Sequence, residues 1–212
     1  MNLIIFGPQG SGKGTQAEKL AEKFNLSHIE SGQIFRVIAK DESVFGKMIR
    51  NLIKEGEVVP DETTVEVLNR YVKKVSVGQG LILDSAPRTV GQIELVEKMM
   101  ASYNRKIDKA IYISLPYQQS VERITKRYLC TACAKSLVLG RDIETSSSSC
   151  PSCGGLITQR ADDTIDGITK RLDIFYSITV PVIEYYRKKG ILIEIDGSRE
   201  IEEVFRDIIK QL

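Results

Sequence analysis

Short apolar runs alternating with stretches of helical periodicity predict an α/β fold, an open parallel sheet with helices on both faces. The spacing agrees, because each run is separated from the next by more than the dozen residues that a parallel crossover needs. The first run also leads directly into a glycine-rich turn and a helix, the arrangement by which α/β proteins hold phosphate. With 212 residues the chain can bury one full core and carry small insertions.

The elements follow in order. Leu3 to Phe6 is the first strand, and Gly7-Pro-Gln-Gly-Ser-Gly-Lys13 is the turn after it. Its glycines let consecutive backbone N–H groups point inward around an oligophosphate, Lys13 adds a positive charge, and the helix Lys13 to Phe24 presents its positive end. Gly14 stands where the general pattern has a hydroxyl, which comes one residue later on Thr15. A chance glycine-rich turn is the competing reading, and the strand-turn-helix context argues against it. Ser27 to Glu30 is the second strand; it carries His28, the one histidine, read as a satisfied structural residue because phosphoryl chemistry needs no acid or base there. Helices are expected at Gly32 to Ala39, Val44 to Glu55 and Asp61 to Lys74, before a third strand, Leu81 to Leu83, that runs into Asp84. Then come a helix Thr89 to Tyr103, a strand Ala110 to Ser114, a helix Tyr117 to Tyr128, one long helix Asp163 to Lys188, a strand Ile191 to Ile195 and a closing helix Arg199 to Gln211. That last helix puts Ile201, Val204, Phe205, Ile208 and Ile209 on one face. Two segments, roughly 30 to 60 and 127 to 164, interrupt the alternation and are the candidate insertions.

The second insertion holds all four cysteines, as Cys130-Thr-Ala-Cys133 and Cys150-Pro-Ser-Cys153, with sixteen residues between the pairs. This is the two-knuckle spacing of a tetrahedral thiolate zinc site, and four sulfur ligands leave no open position, so the metal is expected to be structural. Lys135 to Ser149 has too few large apolar residues for a core of its own, which metal binding would offset. Redox-active pairs and inert thiols are the alternatives.

Charge excludes other classes. Thirty basic residues against 28 acidic leave a net +2, without the global field of a nucleic-acid or membrane-surface protein. Between Cys130 and Cys153 there are only Lys135 and Arg141 against Asp142 and Glu144, and no aromatic ring to stack on a base, which argues against a zinc-ribbon nucleic-acid binder. Met1-Asn2-Leu3 runs straight into a strand without a leader pattern, and no apolar stretch approaches membrane length, so a cytoplasmic protein without membrane partners is expected.

Several motifs taken together resemble the adenylate kinases of the bacterial long-lid, zinc-binding type, within the nucleoside monophosphate kinases. They are the opening Gly-x-x-Gly-x-Gly-Lys-Gly-Thr, Ser31-Gly-x-x-x-Arg36, Gly56-x-Val-Val-Pro-Asp-Glu62, Asp84-x-x-Pro-Arg-Thr89-x-x-Gln92, the cysteine knuckles, Gln159-Arg-x-Asp-Asp163 and Lys170-Arg-Leu172, in the family's order over nearly the whole chain. The resemblance implies a P-loop fold with a five-stranded parallel sheet in the order 2-3-1-4-5. It implies a core of residues 1–29, 60–126 and 165–212, a monophosphate-binding insertion at 30–59 and a zinc-binding lid at 127–164. It also implies reversible transfer of a phosphoryl group from ATP to AMP giving two ADP, with Mg²⁺, by a monomer.

Residue roles follow from matching positions. The donor ATP is expected against Gly10, Ser11, Gly12, Lys13, Gly14, Thr15, Arg123, Arg127, Ser136, Leu137 and Arg199. AMP is expected against Ser31, Arg36, Glu57, Val58, Val59, Ser85, Ala86, Pro87, Arg88, Gln92, Arg160 and Arg171. Lys13, Asp84, Arg88, Arg123, Arg160 and Arg171 are the expected catalytic set, with Asp84 anchoring water on Mg²⁺ or, in the blander reading, capping the following turn. Arginine suits both substrates, since its planar fork grips phosphate bidentately and keeps its proton. The chain departs from the family pattern at Asp84-Ser-Ala-Pro-Arg-Thr89, where Gly-Phe usually follows the aspartate, and at Gln33, where an acid is usual. Ala134-Lys135 replaces a glycine after the first knuckle, and the lid lacks the usual Tyr-His pair. Ser85 and Ala86 bear on base choice, so another nucleoside monophosphate or GTP is the alternative substrate; Gln33 bears on the Mg²⁺ water network, and the lid changes on the ATP contacts at Ser136 and Leu137. A P-loop switch with one nucleotide is a further alternative, and the second-substrate set Ser31, Arg36, Arg88 and Gln92 argues against it.

Overall fold

A computed structural model describes residues 1–133, 135–160 and 163–212. Ala134 and Asp162, which enter the motif comparison above, lie outside the described residues. Five strands form a parallel sheet: β1 (Asn2–Phe6), β2 (Ser27–Glu30), β3 (Leu81–Asp84), β4 (Lys109–Ser114) and the last strand, β8 (Leu192–Asp196), in the order β2-β3-β1-β4-β8. This is the expected 2-3-1-4-5 arrangement, with β8 as the fifth strand of the sheet. Its central strands read as unbroken apolar runs because both faces are covered.

One face carries the larger cluster, in which Ile4, Phe6, Leu81 and Leu83 meet α4 (Asp61–Val72), α5 (Val90–Ser102) and α8 (Val180–Lys188). The other face packs Leu3, Ile5, Ile82 and Ile111 against α1 (Lys13–Phe24) and α9 (Ile201–Gln211). On α9 the buried residues are Val204 and Ile208, on the face the sequence picked out. Between β2 and α4 lie α2 (Ser31–Ile38) and α3 (Val44–Glu55); the Ser43 hydroxyl caps α3 by accepting from Gly46 N at 3.1 Å.

Three differences from the sequence expectation bear on the site. First, α6 (Tyr117–Thr125) stops three residues short of the expected end, and Arg127 and Tyr128 belong instead to a strand, β5 (Arg127–Cys130). With β6 (Ser136–Val138) and β7 (Ile157–Thr158) it makes a separate antiparallel sheet in the order β6-β5-β7. Second, contrary to the expectation that Lys135 to Ser149 is too poor in apolar residues, this sheet has a small core in which Leu137, Leu139 and Ile143 from that segment join Cys130, Cys150, Tyr128 and Ile157. Third, the expected long helix is α7 (Ile165–Ile174) joined to α8 through a π-helical turn, Phe175–Thr179, which bears Phe175 and Tyr176 against Tyr112 and Tyr117. No helix among the described residues is long and apolar enough to cross a membrane.

Candidate active site

The carboxyl ends of β1, β3 and β2 meet the turn after β1, and the residues there are arranged around phosphate-sized space. Gly10 and Gly12 have φ of 80° and 86°, which only glycine adopts without strain, and Gly12 is the residue that starts α1. The turn is held from beneath, because Gly197 lies so close that an added Cβ would sit 2.5 Å from Ile113 Cγ2 and 3.0 Å from Ser11 O. Arg123 on α6 completes this support, donating to Gly197 O at 2.9 Å, Ser198 O at 3.0 Å and Gly10 O at 3.4 Å.

Asp84 ends β3 with a side chain only 1 % exposed. His28 Nε2 lies 3.3 Å from its Oδ2, and the Ser85 hydroxyl donates to its Oδ1 at 2.9 Å. Burial pushes the Asp84 carboxyl up, but the His28 hydrogen bond, the Lys13 charge and the Ser85 hydroxyl outweigh it, so the group is held below its ordinary value and stays ionised. The same burial lowers Lys13, with Asp84 opposing. A Cβ on Gly14 would lie 3.8 Å from Asp84 Oδ2, so the carboxylate faces the first turn of α1. A buried, ionised carboxylate beside the glycine turn suits a water-bearing Mg²⁺ that takes its other ligands from phosphate. Sequence reasoning missed the pairing of His28 with Asp84; His28 stands two residues before the strand's carboxyl end, on the face that Asp84 shares through the Glu30–Asp84 register.

Beside this lies a cleft of about 210 Å³. It brings together Lys13, Ser31, Arg36, Glu57, Val58, Val59, Ser85, Arg88, Gln92, Arg127, Arg160 and Arg171: ten of the twelve expected acceptor residues with Lys13 and Arg127 of the donor set, while Ala86 and Pro87 do not line it. Arg88 is fixed by Nε donating to Ser85 O at 3.1 Å and by its own N–H donating to Gln92 Oε1 at 2.8 Å. That leaves Gln92 Nε2 buried with no partner among the described residues. The Ser31 hydroxyl spends its proton on the carbonyls of Asp84 and Ser85, leaving lone pairs free. Ala86 is fully buried and joined to Pro87 by a cis peptide bond. Glu30, which the sequence reading treated as a strand end, also lines the cleft and accepts from Arg36 Nη2 at 2.8 Å. On the lid side, Arg127 grips Asp163 with Nε and Nη2, at 2.9 and 2.6 Å, and Arg171 reaches the same carboxylate at 2.9 Å.

Other expected residues lie outside the cleft. Leu137 is 1 % exposed, backbone included, in the lid core, whereas Ser136 is exposed. Arg199 is paired with Asp207 at 2.6 Å, directing its guanidinium along α9. The four cysteine sulfurs lie within 4.8 Å of one another and form no disulfide. Tetrahedral Zn–S bonds of about 2.3 Å place sulfurs about 3.8 Å apart, so the cluster fits zinc. The N–H of Cys133 lowers the Cys130 thiol to about 6, favouring the thiolate that binds metal.

The adenylate kinase family model matches residues 5–191. The chain belongs to the adenylate kinase family. Similar relatives include adenylate kinases of Alkaliphilus oremlandii (strain OhILAs), 37% identical over 212 residues covering 100% of this chain and 98% of the relative, and of Geobacillus sp. (strain WCH70), 38% identical over 208 residues covering 98% and 96%. That of Carboxydothermus hydrogenoformans is 36% identical over 208 residues, covering 98% and 97%. As a member of the adenylate kinase family the chain is an enzyme, a phosphotransferase, and its arginine-lined cleft beside a phosphate turn is the geometry such transfer needs.

Proposed function

We propose that this protein catalyses ATP + AMP ⇌ 2 ADP by direct in-line transfer, with AMP in the cleft and ATP on the glycine turn. One observation carries the reading: a single cleft is lined by Lys13 and five arginines and also by Gln92, whose buried amide donor Nε2 has no partner among the described residues. Adenine offers an acceptor at N1 and donors at its amino group, which match Gln92 Nε2 and the free lone pairs of Ser31. Guanine presents a donor at N1 instead, and a mismatched buried donor discriminates strongly.

No protein nucleophile is required, since the AMP phosphate attacks the terminal phosphate of ATP directly. Lys13 would bridge the β and γ phosphates, Arg36 and Arg88 would hold the AMP phosphate, and Arg123, Arg127, Arg160 and Arg171 would surround the group in transit. Asp84 would hold Mg²⁺ together with the substrate phosphates, and the metal would supply charge neutralisation. Residues 1–29, 60–126 and 165–212 form the core in this reading, 30–59 the AMP-binding insertion and 127–164 a lid that closes to exclude water. Zinc on Cys130, Cys133, Cys150 and Cys153 would give the lid folding free energy and make it move as one piece. The enzyme acts as a cytoplasmic monomer.

The test is a panel of monophosphate acceptors with Mg·ATP or Mg·GTP, read by diphosphate formation, alongside Arg88→Ala. AMP should be preferred and Arg88→Ala should lower kcat/KM for AMP at least about a hundredfold, as loss of charge-assisted phosphate bonds does. UMP or GMP rates equal to those on AMP would overturn the adenine assignment.

A further inference from the structure

We infer that Glu30 is a resident competitor for the acceptor's phosphate, setting how tightly the cleft holds the acceptor nucleotide; this rests on the acceptor-site reading above. Glu30 ends β2 and occupies the N-cap position of α2, with φ −93° and ψ 104°. An acid there ordinarily accepts from an N–H of the first helical turn. This one makes no such bond, and turns into the cleft to take Arg36 Nη2 at 2.8 Å.

Its carboxylate stands where an anion is wanted. A Cβ on Gly32 would lie 3.1 Å from Arg36 Nη1, 3.6 Å from Glu30 Oε1 and 3.8 Å from Arg88 Nη2, so one carboxylate oxygen and the ends of both phosphate-binding guanidiniums surround a single point. Asp84 is engaged with His28 and Ser85, and Asp163 with Arg127 and Arg171; Glu57 also lines the cleft but is not among the three atoms nearest that point. The pair is weak enough to yield, because the side chains of Arg36 and Glu30 are 36% and 31% exposed and water screens their attraction. An incoming phosphate must either displace the carboxylate from Arg36 or bind beside a like charge. Both routes cost affinity, and both speed release of the bound nucleotide.

The measurement is equilibrium binding at low salt for the wild type, Glu30→Gln, Glu30→Ser and Glu30→Asp, by calorimetry with AMP, adenosine and ATP. Glu30→Gln and Glu30→Ser should tighten AMP about three- to tenfold, the scale of a partly screened charge pair. Adenosine, lacking the phosphate, should be unchanged, and Glu30→Asp, keeping the charge, should stay within about twofold of wild type. A general structural role would move adenosine as well and lower the unliganded melting point. Weaker or unchanged AMP binding in both neutral variants overturns the inference, the former by showing that Glu30 orients Arg36. Failure of the wild type to make ADP from ATP and AMP would instead overturn the acceptor-site reading, whatever Glu30 does.

Discussion

His28 and Asp84 form a pair whose worth depends on pH. Burial works against charge on His28, but its hydrogen bond to Asp84 and the charges of Asp84, Glu30 and Glu18 prevail and hold its pKa above 6.5. A group raised on folding contributes stability that is fully present below its unfolded pKa and lost as pH rises through the folded value. The window therefore opens at 6.5 and extends upward. Asp84 is shifted the other way, so its contribution is present at neutral pH and lost only in acid, as pH falls below its ordinary 3.8 through the folded value. His28→Gln should cost about 1.5–3 kcal/mol near pH 5.5, the scale of a hydrogen bond to a charged partner, and distinctly less near pH 9. Urea unfolding without Mg²⁺ at both pH values checks this; a cost independent of pH would mean that His28 titrates alike in the folded and unfolded chain and gains nothing net from Asp84.

Elements were legible in proportion to their length. The bounds of α1 and α3 match the sequence reading to the residue, because each has a helical stripe and a clear stop, Asn25 and Gly56, in the left-handed conformation. The lid strands were not legible, since two to four residues are too few to show a period of two, and the π turn at Phe175–Thr179 is hidden by an apolar pattern that suits either helix type. At the site, glycine turn, arginines and cysteines announced themselves by type and spacing, whereas Glu30 did not, because nothing in a sequence says that an acid will turn from the helix end toward an arginine six residues on. Element packing also makes predictions. A Cβ on Gly46 of α3 would collide with Asp41 O and lie 2.9 Å from Ile38 O, so Gly46→Ala must part α3 from α2. It should cost about 1–3 kcal/mol of stability, read by thermal melting, and raise KM for AMP more than KM for ATP; equal effects on both would detach these helices from the acceptor. In the lid, elemental analysis should find one zinc per wild-type chain, and Cys133→Ser should lose it and lower the melting temperature by several degrees, on the order of 5 °C. Full metal content in that variant would remove Cys133 from the ligand set.

At the scale of the whole molecule, one acid ties the base of the proposed lid to α7. Asp163 is 1 % exposed and is shared by Arg127 at the base of the lid and Arg171 on α7, two guanidiniums expected to turn toward phosphate. Lys170, next to Arg171, also reaches the Glu55 carbonyl at the end of α3, linking α7 to the opposite insertion. Without nucleotide the carboxylate offsets the charge of the two arginines; with both nucleotides bound the phosphates can do so. Removing the acid should therefore penalise the empty protein and spare the filled one. Asp163→Asn is expected to destabilise the unliganded enzyme by about 3–5 kcal/mol, the cost of leaving the buried Arg127 charge without the carboxylate it grips. A bisubstrate adenosine oligophosphate, binding only the folded state, should then bind the variant more tightly and raise its melting temperature more than the wild type's at the same free ligand concentration. Equal ligand-induced shifts would show that Asp163 keeps hold of both arginines in the filled cleft, and that closing the lid does not draw on this charge exchange.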